Sequence, residues 1–102
     1  MSKVINLSGK FSEEKPQIQI GDKLYDVNDG MGVVLQFEEL IGEGTAEKMV
    51  EAISKTIGKE AAEELKIMEM SMENFKILSA GLMAAMQDLE FEEVYKRFQN
   101  NK

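Results

Sequence analysis

Carboxylates are the one residue type in this sequence that is plentiful enough to do chemistry. The stretch GDKLYDVNDG brings Asp22, Asp26, Asn28 and Asp29 close together. Oxygen donors at that density are what a calcium loop uses, but an EF-hand also needs acidic or amide residues at alternate positions and a glutamate at position twelve. Counted from Asp26, position five is Gly30 and position twelve is Phe37, so the pattern fails and turn and cap chemistry is expected instead. Acidic clusters recur at Glu38-Glu39, Glu60-Glu63-Glu64 and Glu90-Glu92-Glu93. Paired carboxylates can share acid–base work, yet these fall on the polar faces of amphipathic helical patterns, where solvated charge is the ordinary state. Histidine, the commonest general base and metal ligand, is absent, and so is cysteine. None of the six serines sits in a G-x-S-x-G elbow, and Gly30-Met31-Gly32 is a bare G-x-G rather than a phosphate loop. The expectation is a protein that is not an enzyme and holds no cofactor or metal.

The bulk properties narrow the partners. A chain of 102 residues is one domain. Its net charge of −7 opposes binding to phosphate backbones and to anionic membranes, both of which are driven by Lys and Arg. No segment reaches the roughly 20 apolar residues needed to span a bilayer. The start, MSKVINLSGKF, has no apolar run like that of a secretory signal, and the lack of cysteine fits a reducing compartment. These features predict a cytoplasmic protein that binds neither nucleic acid nor membrane.

The elements follow from periodicity. Val4, Ile5 and Leu7 suggest a short strand, 12–16 a loop with the only proline, and IQIGDKLYDV a hairpin turning at Gly21-Asp22. In a two-residue register Ile18, Ile20, Tyr25 and Val27 share one face, which must pack on helices because a lone hairpin is marginal in water. Asp29 is a candidate N-cap for a helix bearing Val33, Val34, Phe37, Leu40 and Ile41, stopped by Gly42 and Gly44. Thr45 can cap the next helix, striped by Met49, Val50, Ile53 and Ile57 and stopped by Gly58. A third helix is predicted over 59–68 with Ala61, Ala62, Leu65 and Met68 inward. Ser71 caps a long helix over 72–88, and Asp88 is a candidate cap for a last helix carrying Phe91, Val94, Tyr95 and Phe98. The expected fold is α+β and mostly helical: a β-hairpin region over 1–29, a bundle of four to five short helices over 30–98, and a frayed polar tail over 99–102.

The long helix contains the uncharged run ILSAGLMAAM, 77–86. At 100° per residue Phe75, Leu78, Leu82, Met86 and Leu89 fall in one sector, which is a core face. The opposite side holds Ile77, Ala80, Gly81 and Ala84, with Met83 at its flank, while Met70 and Met72 lead into the helix. A helix apolar nearly all round is buried on both sides. Small residues let another backbone come close, and methionines adapt to varied surfaces. Two readings stay open. Either this is the central helix with the hairpin on its back, or these residues meet a partner helix or a second copy of the chain.

The order of elements resembles the small tail assembly chaperones of long-tailed phages and prophages of Gram-positive bacteria. The resemblance rests on the hairpin I-x-I-G-D-K-x-Y-x-V (Ile18, Ile20, Gly21, Asp22, Lys23, Tyr25, Val27), the acidic helices after it, the helix SMENFKILSAGLMAAMQD and the ending FEEVYKRF. It implies a non-enzymatic role in the bacterial cytoplasm. Such chaperones bind the long helical tape measure protein, keep its apolar stretches soluble and help tail-tube subunits assemble around it. Two other readings are an acidic phage-encoded inhibitor that mimics nucleic acid through its carboxylates, and a structural subunit of a virion or prophage particle.

Overall fold

The computed structural model describes residues 3–11 and 14–100, and the side chains of all of these except 98–100. Two strands, β1 (Gln17–Ile20) and β2 (Lys23–Asp26), form an antiparallel hairpin. Five helices follow: α1 (Met31–Glu43), α2 (Ala46–Ile57), α3 (Lys59–Glu64), α4 (Met72–Gln87) and α5 (Phe91–Asn100), with a single 3-10 turn at Ile67–Glu69. The protein is therefore α+β and mostly helical.

The hairpin turns on Gly21 and Asp22. Gly21 has a positive φ of 63° and Asp22 does not, the pattern of a type II′ turn, which matches the twist of the flanking strands. Ile18 stands opposite Tyr25 and Ile20 opposite Lys23. Opposed residues project to one face, so Ile18, Ile20, Tyr25 and Val27 do share a side, and Tyr25 and Val27 are buried. The hairpin is anchored twice. At its base the Asn28 N–H donates to the Thr56 carbonyl at the end of α2 (2.8 Å). Near its turn Lys23 Nζ reaches both oxygens of Glu64 on α3 (2.5 and 2.6 Å), and the Tyr25 hydroxyl donates to the same carboxylate (2.7 Å).

The main core lies between α1, α2, the hairpin and one face of α4. Phe37, Ile53, Leu82 and Val27 are its best-buried members. Thr45 and Ser71 cap as expected: their hydroxyls accept from the N–H groups of Lys48 (3.2 Å) and Asn74 (3.0 Å). Gly58, at φ 97°, ends α2 and starts α3, a conformation that L side chains avoid, so the corner between the two helices needs glycine.

Several expectations are corrected. Asp29 is not the cap of α1; Gly30 holds that position, and the Asn28 side chain accepts from the Gly30 N–H (3.0 Å) in a local turn. The helix passes through Gly42 and ends at Gly44. The third helix stops at Glu64 because Lys66 takes a left-handed conformation (φ 51°), and the rotation buries Ile67 and turns Met68 outward. Asp88 caps nothing in α5. It closes α4 in the left-handed region, where its own N–H and that of Leu89 both reach the Ala84 carbonyl. Val4, Ile5 and Leu7 form no strand and lie exposed, and among the described residues no strand pairs with them. The backbone of α5 continues to Asn100, so the helix takes in Gln99 and Asn100 of the expected tail; 101–102, the side chain of Phe98, and Ser12 and Glu13 of the expected loop lie outside the description.

Two measurements check this packing. Ser79 is fully buried on α4 and its hydroxyl has no hydrogen-bond partner. An orphaned buried hydroxyl costs about 1–3 kcal/mol, and alanine is also the better helix former. Ser79→Ala is expected to raise the unfolding free energy by about 1 kcal/mol in a urea titration. The Lys23–Glu64–Tyr25 clasp adds a pH dependence. The hydrogen bonds from Lys23 and then Tyr25 hold the Glu64 carboxyl below its ordinary value of 4.5. A lowered acid stabilises the fold above its unfolded value, and that contribution fades as pH falls through the folded value. Glu64→Gln is therefore expected to flatten the loss of stability below pH 4.5 in urea midpoints measured from pH 3 to 7.

Candidate functional site

The sixteen residues of α4 meet the rest of the protein on three sides. Phe75, Leu78, Leu82 and Met86 enter the main core. A second side carries Ala80 and Ala84, which form a separate small cluster with Val94 of α5. Ala80 and Val94 are 0% exposed, so the two helices approach as closely as alanine allows. The Tyr95 hydroxyl on α5 donates to the Glu73 carboxylate on α4, and the Tyr95 ring stacks on Phe91 with centroids 5.5 Å apart. The chain's own last helix therefore occupies this side.

The third side is open. Ile77, Gly81 and Ala85 face a groove of about 510 Å³ between α4 and β1. Leu65 and Met70 contribute from the segment before α4, and Phe91 from the start of α5. All four residues of β1 line the opposite wall. Successive strand side chains point to opposite faces, so a wall that includes four in a row is the edge of the strand rather than one of its faces. Nearly a third of the chain is charged, yet none of the residues lining this groove is. Its polar groups are the amides of Gln17, Gln19 and Asn74. Gln19 turns its amide to the Gly21 carbonyl (3.0 Å) and Gln17 to the Asp26 carboxylate (2.7 Å), so both are partnered within the hairpin.

The residues expected to bind a partner thus separate into distinct places. Ile77, Gly81 and Met70 come together in the groove. Ile77 is 41% exposed, and a β-carbon added at Gly81 would meet nothing within 4 Å. Met83 is half-buried where the two cores adjoin. Met72 is exposed but does not line the groove. Ala80 and Ala84 lie apart from the groove: they are interior residues under α5, where their small size serves helix packing within the chain. Ile18, Ile20, Leu65, Ala85 and Phe91 complete the groove and were not among the expected site residues. The alternation of Ile18 and Ile20 was the available signal, since it shows a strand face that must pack on helix.

Among the described residues no three Asp or Glu side chains converge where a metal ion could sit, and no helix is long and apolar enough to cross a membrane. Comparison with known proteins finds no matching family model, no matching curated protein and no matching solved structure.

The two sides of α4 are expected to respond differently to charge. Ala84→Glu places an unpaired carboxylate under α5, which costs about 3–5 kcal/mol. Ile77→Glu places one at the open groove, where surface substitutions shift stability by about 0.5 kcal/mol and partial burial adds about 1 more. Urea unfolding followed by far-UV circular dichroism separates them: Ile77→Glu keeps a cooperative native transition and Ala84→Glu loses most of its stability.

Proposed function

We propose that this protein is a non-enzymatic tail assembly chaperone that holds apolar helical segments of a phage tape measure protein. The groove beside α4 carries the proposal. It is uncharged, apolar and bordered by the small residues Gly81 and Ala85, so a helix can lie along it at close range. The acidic remainder of the surface, net −7 over the chain, keeps a complex with an apolar client soluble. The resemblance in element order to phage tail chaperones points to the same kind of client. Delivery of that client to tail-tube subunits belongs to the proposal as its consequence.

The acidic-mimic reading draws less support. In the acidic cluster Glu60-Glu63-Glu64, Glu64 is held by Lys23 and Tyr25.

The test is binding of overlapping tape measure peptides to the folded protein by fluorescence anisotropy. Ile77→Glu is expected to weaken binding by about ten- to a hundred-fold, the equivalent of one lost aliphatic contact. Charge reversal at Glu60 and Glu63 is expected to leave it unchanged, and raising salt to alter it little, since no ion pair lines the groove. Loss on charge reversal with tolerance at Ile77 would reject the chaperone reading in favour of the acidic one.

A further inference from the structure

The N-terminal arm presents the complement of the groove. Its residues 3–11 have no regular structure, and Val4, Ile5, Leu7 and Phe11 are 87, 69, 52 and 75% exposed. Four large apolar side chains within eight residues concentrate exposed apolar surface in one short segment. Val4 and Ile5 are β-branched, and Ile5 and Leu7 fall on one face of an extended chain.

The edge of β1 offers what such a segment needs. In an antiparallel pair, opposed residues alternate between those that exchange backbone hydrogen bonds and those that do not. The pair that closes the turn is Ile20 with Lys23, and the Val27 N–H donates to the Pro16 carbonyl (2.9 Å). Pro16, Ile18 and Ile20 therefore direct their backbone toward β2, while Gln17 and Gln19 direct theirs away from it. The sheet has two strands only, so this outer edge has no strand beside it among the described residues. It opens into the apolar groove, as its place in the groove wall shows.

Charge points the same way. Lys3 and Lys10 are the only charged residues of the arm, and all nineteen Asp and Glu residues lie outside it. The arm is basic and apolar, runs without a turn over 3–7, and closes in a turn where the Lys10 N–H donates to the Leu7 carbonyl (3.0 Å), while the body is acidic and carries an unpaired strand edge and an apolar groove. In the single chain the two do not meet.

We propose that the arm of one copy adds as a strand to the β1 edge of a second copy, setting Ile5 and Leu7 into the groove beside Ile77 and Gly81. Exchange in both directions makes a two-fold dimer in which each arm covers the other chain's groove. The inference uses the arm and the groove alone and does not depend on the client of the groove. One consequence follows if a client also binds there: arm and client compete, so self-association stores the chaperone with its groove closed.

The experiment uses the full chain. Sedimentation velocity over a concentration series is expected to show a reversible dimer that Ile5→Asp combined with Leu7→Asp converts to monomer, with the helical circular dichroism signal and the urea midpoint of the monomer retained because both positions are exposed in the single chain. Ser8→Cys, in a chain with no other cysteine, then carries a nitroxide label. Mixed with unlabelled, nitrogen-15 protein, it is expected to broaden the amide signals of Gln17, Gln19 and Gly81 in the unlabelled copies. A wild-type chain that stays monomeric, or a dimer indifferent to the two aspartates, would overturn the proposal. So would broadening seen only when label and isotope share one chain, which would place the arm in its own groove. Failure here leaves peptide binding at Ile77 untouched, so the two proposals fail separately.

Discussion

The run of uncharged residues from 77 to 86 offers apolar surface on every side, and the fold is arranged around covering most of it. Helices α1 and α2 cover one side of α4, and α5 covers a second through Ala80 and Ala84. The third side falls to the hairpin, which is too short for it. Sixteen helical residues extend about 24 Å, while the four residues of β1 span about 13 Å. A strip of α4 around Ile77, Gly81 and Ala85 therefore stays only partly covered, and the groove is what remains.

The wall opposite α4 is held from both ends. Asn28 ties the base of the hairpin to α2, and Lys23 and Tyr25 tie its turn end to Glu64 on α3. The Lys23–Glu64 ion pair is exposed and adds little raw stability. The effect of these contacts is positional: they keep the β1 edge facing α4 at a fixed distance. A groove with fixed walls loses little freedom when an apolar segment enters, which lowers the ordering cost that limits such binding.

How much of this was legible in the sequence depended on the range of the interaction. Thr45 and Ser71 were readable as caps because each hydroxyl bonds an N–H three residues on. Gly21-Asp22 was readable because the turn type is decided by one positive φ. The hairpin face of Ile18, Ile20, Tyr25 and Val27 followed from a period of two. Asp88 was misplaced because aspartate suits a helix start and also tolerates the left-handed conformation that ends one, and only the path of the chain decides between them. The break at Lys66 left no mark on the apolar spacing. Ala80 and Ala84 could not be assigned from sequence at all, since small residues on a helix look the same whether the approaching helix is α5 or another protein. Val4 and Ile5 have strand propensity, but propensity makes a strand only beside a partner, and among the described residues none pairs with them.

The central claim is that the open side of α4 is a binding surface. The most direct measurement is a nitrogen-15 spectrum of the protein titrated with an amphipathic tape measure peptide. Shifts are expected to concentrate at Ile18, Gln19, Met70, Ile77 and Gly81, with the buried α5 contact at Ala80 and Ala84 unmoved. Shifts confined to the acidic faces around Glu38 and Glu60, or none at saturating peptide, would contradict that claim.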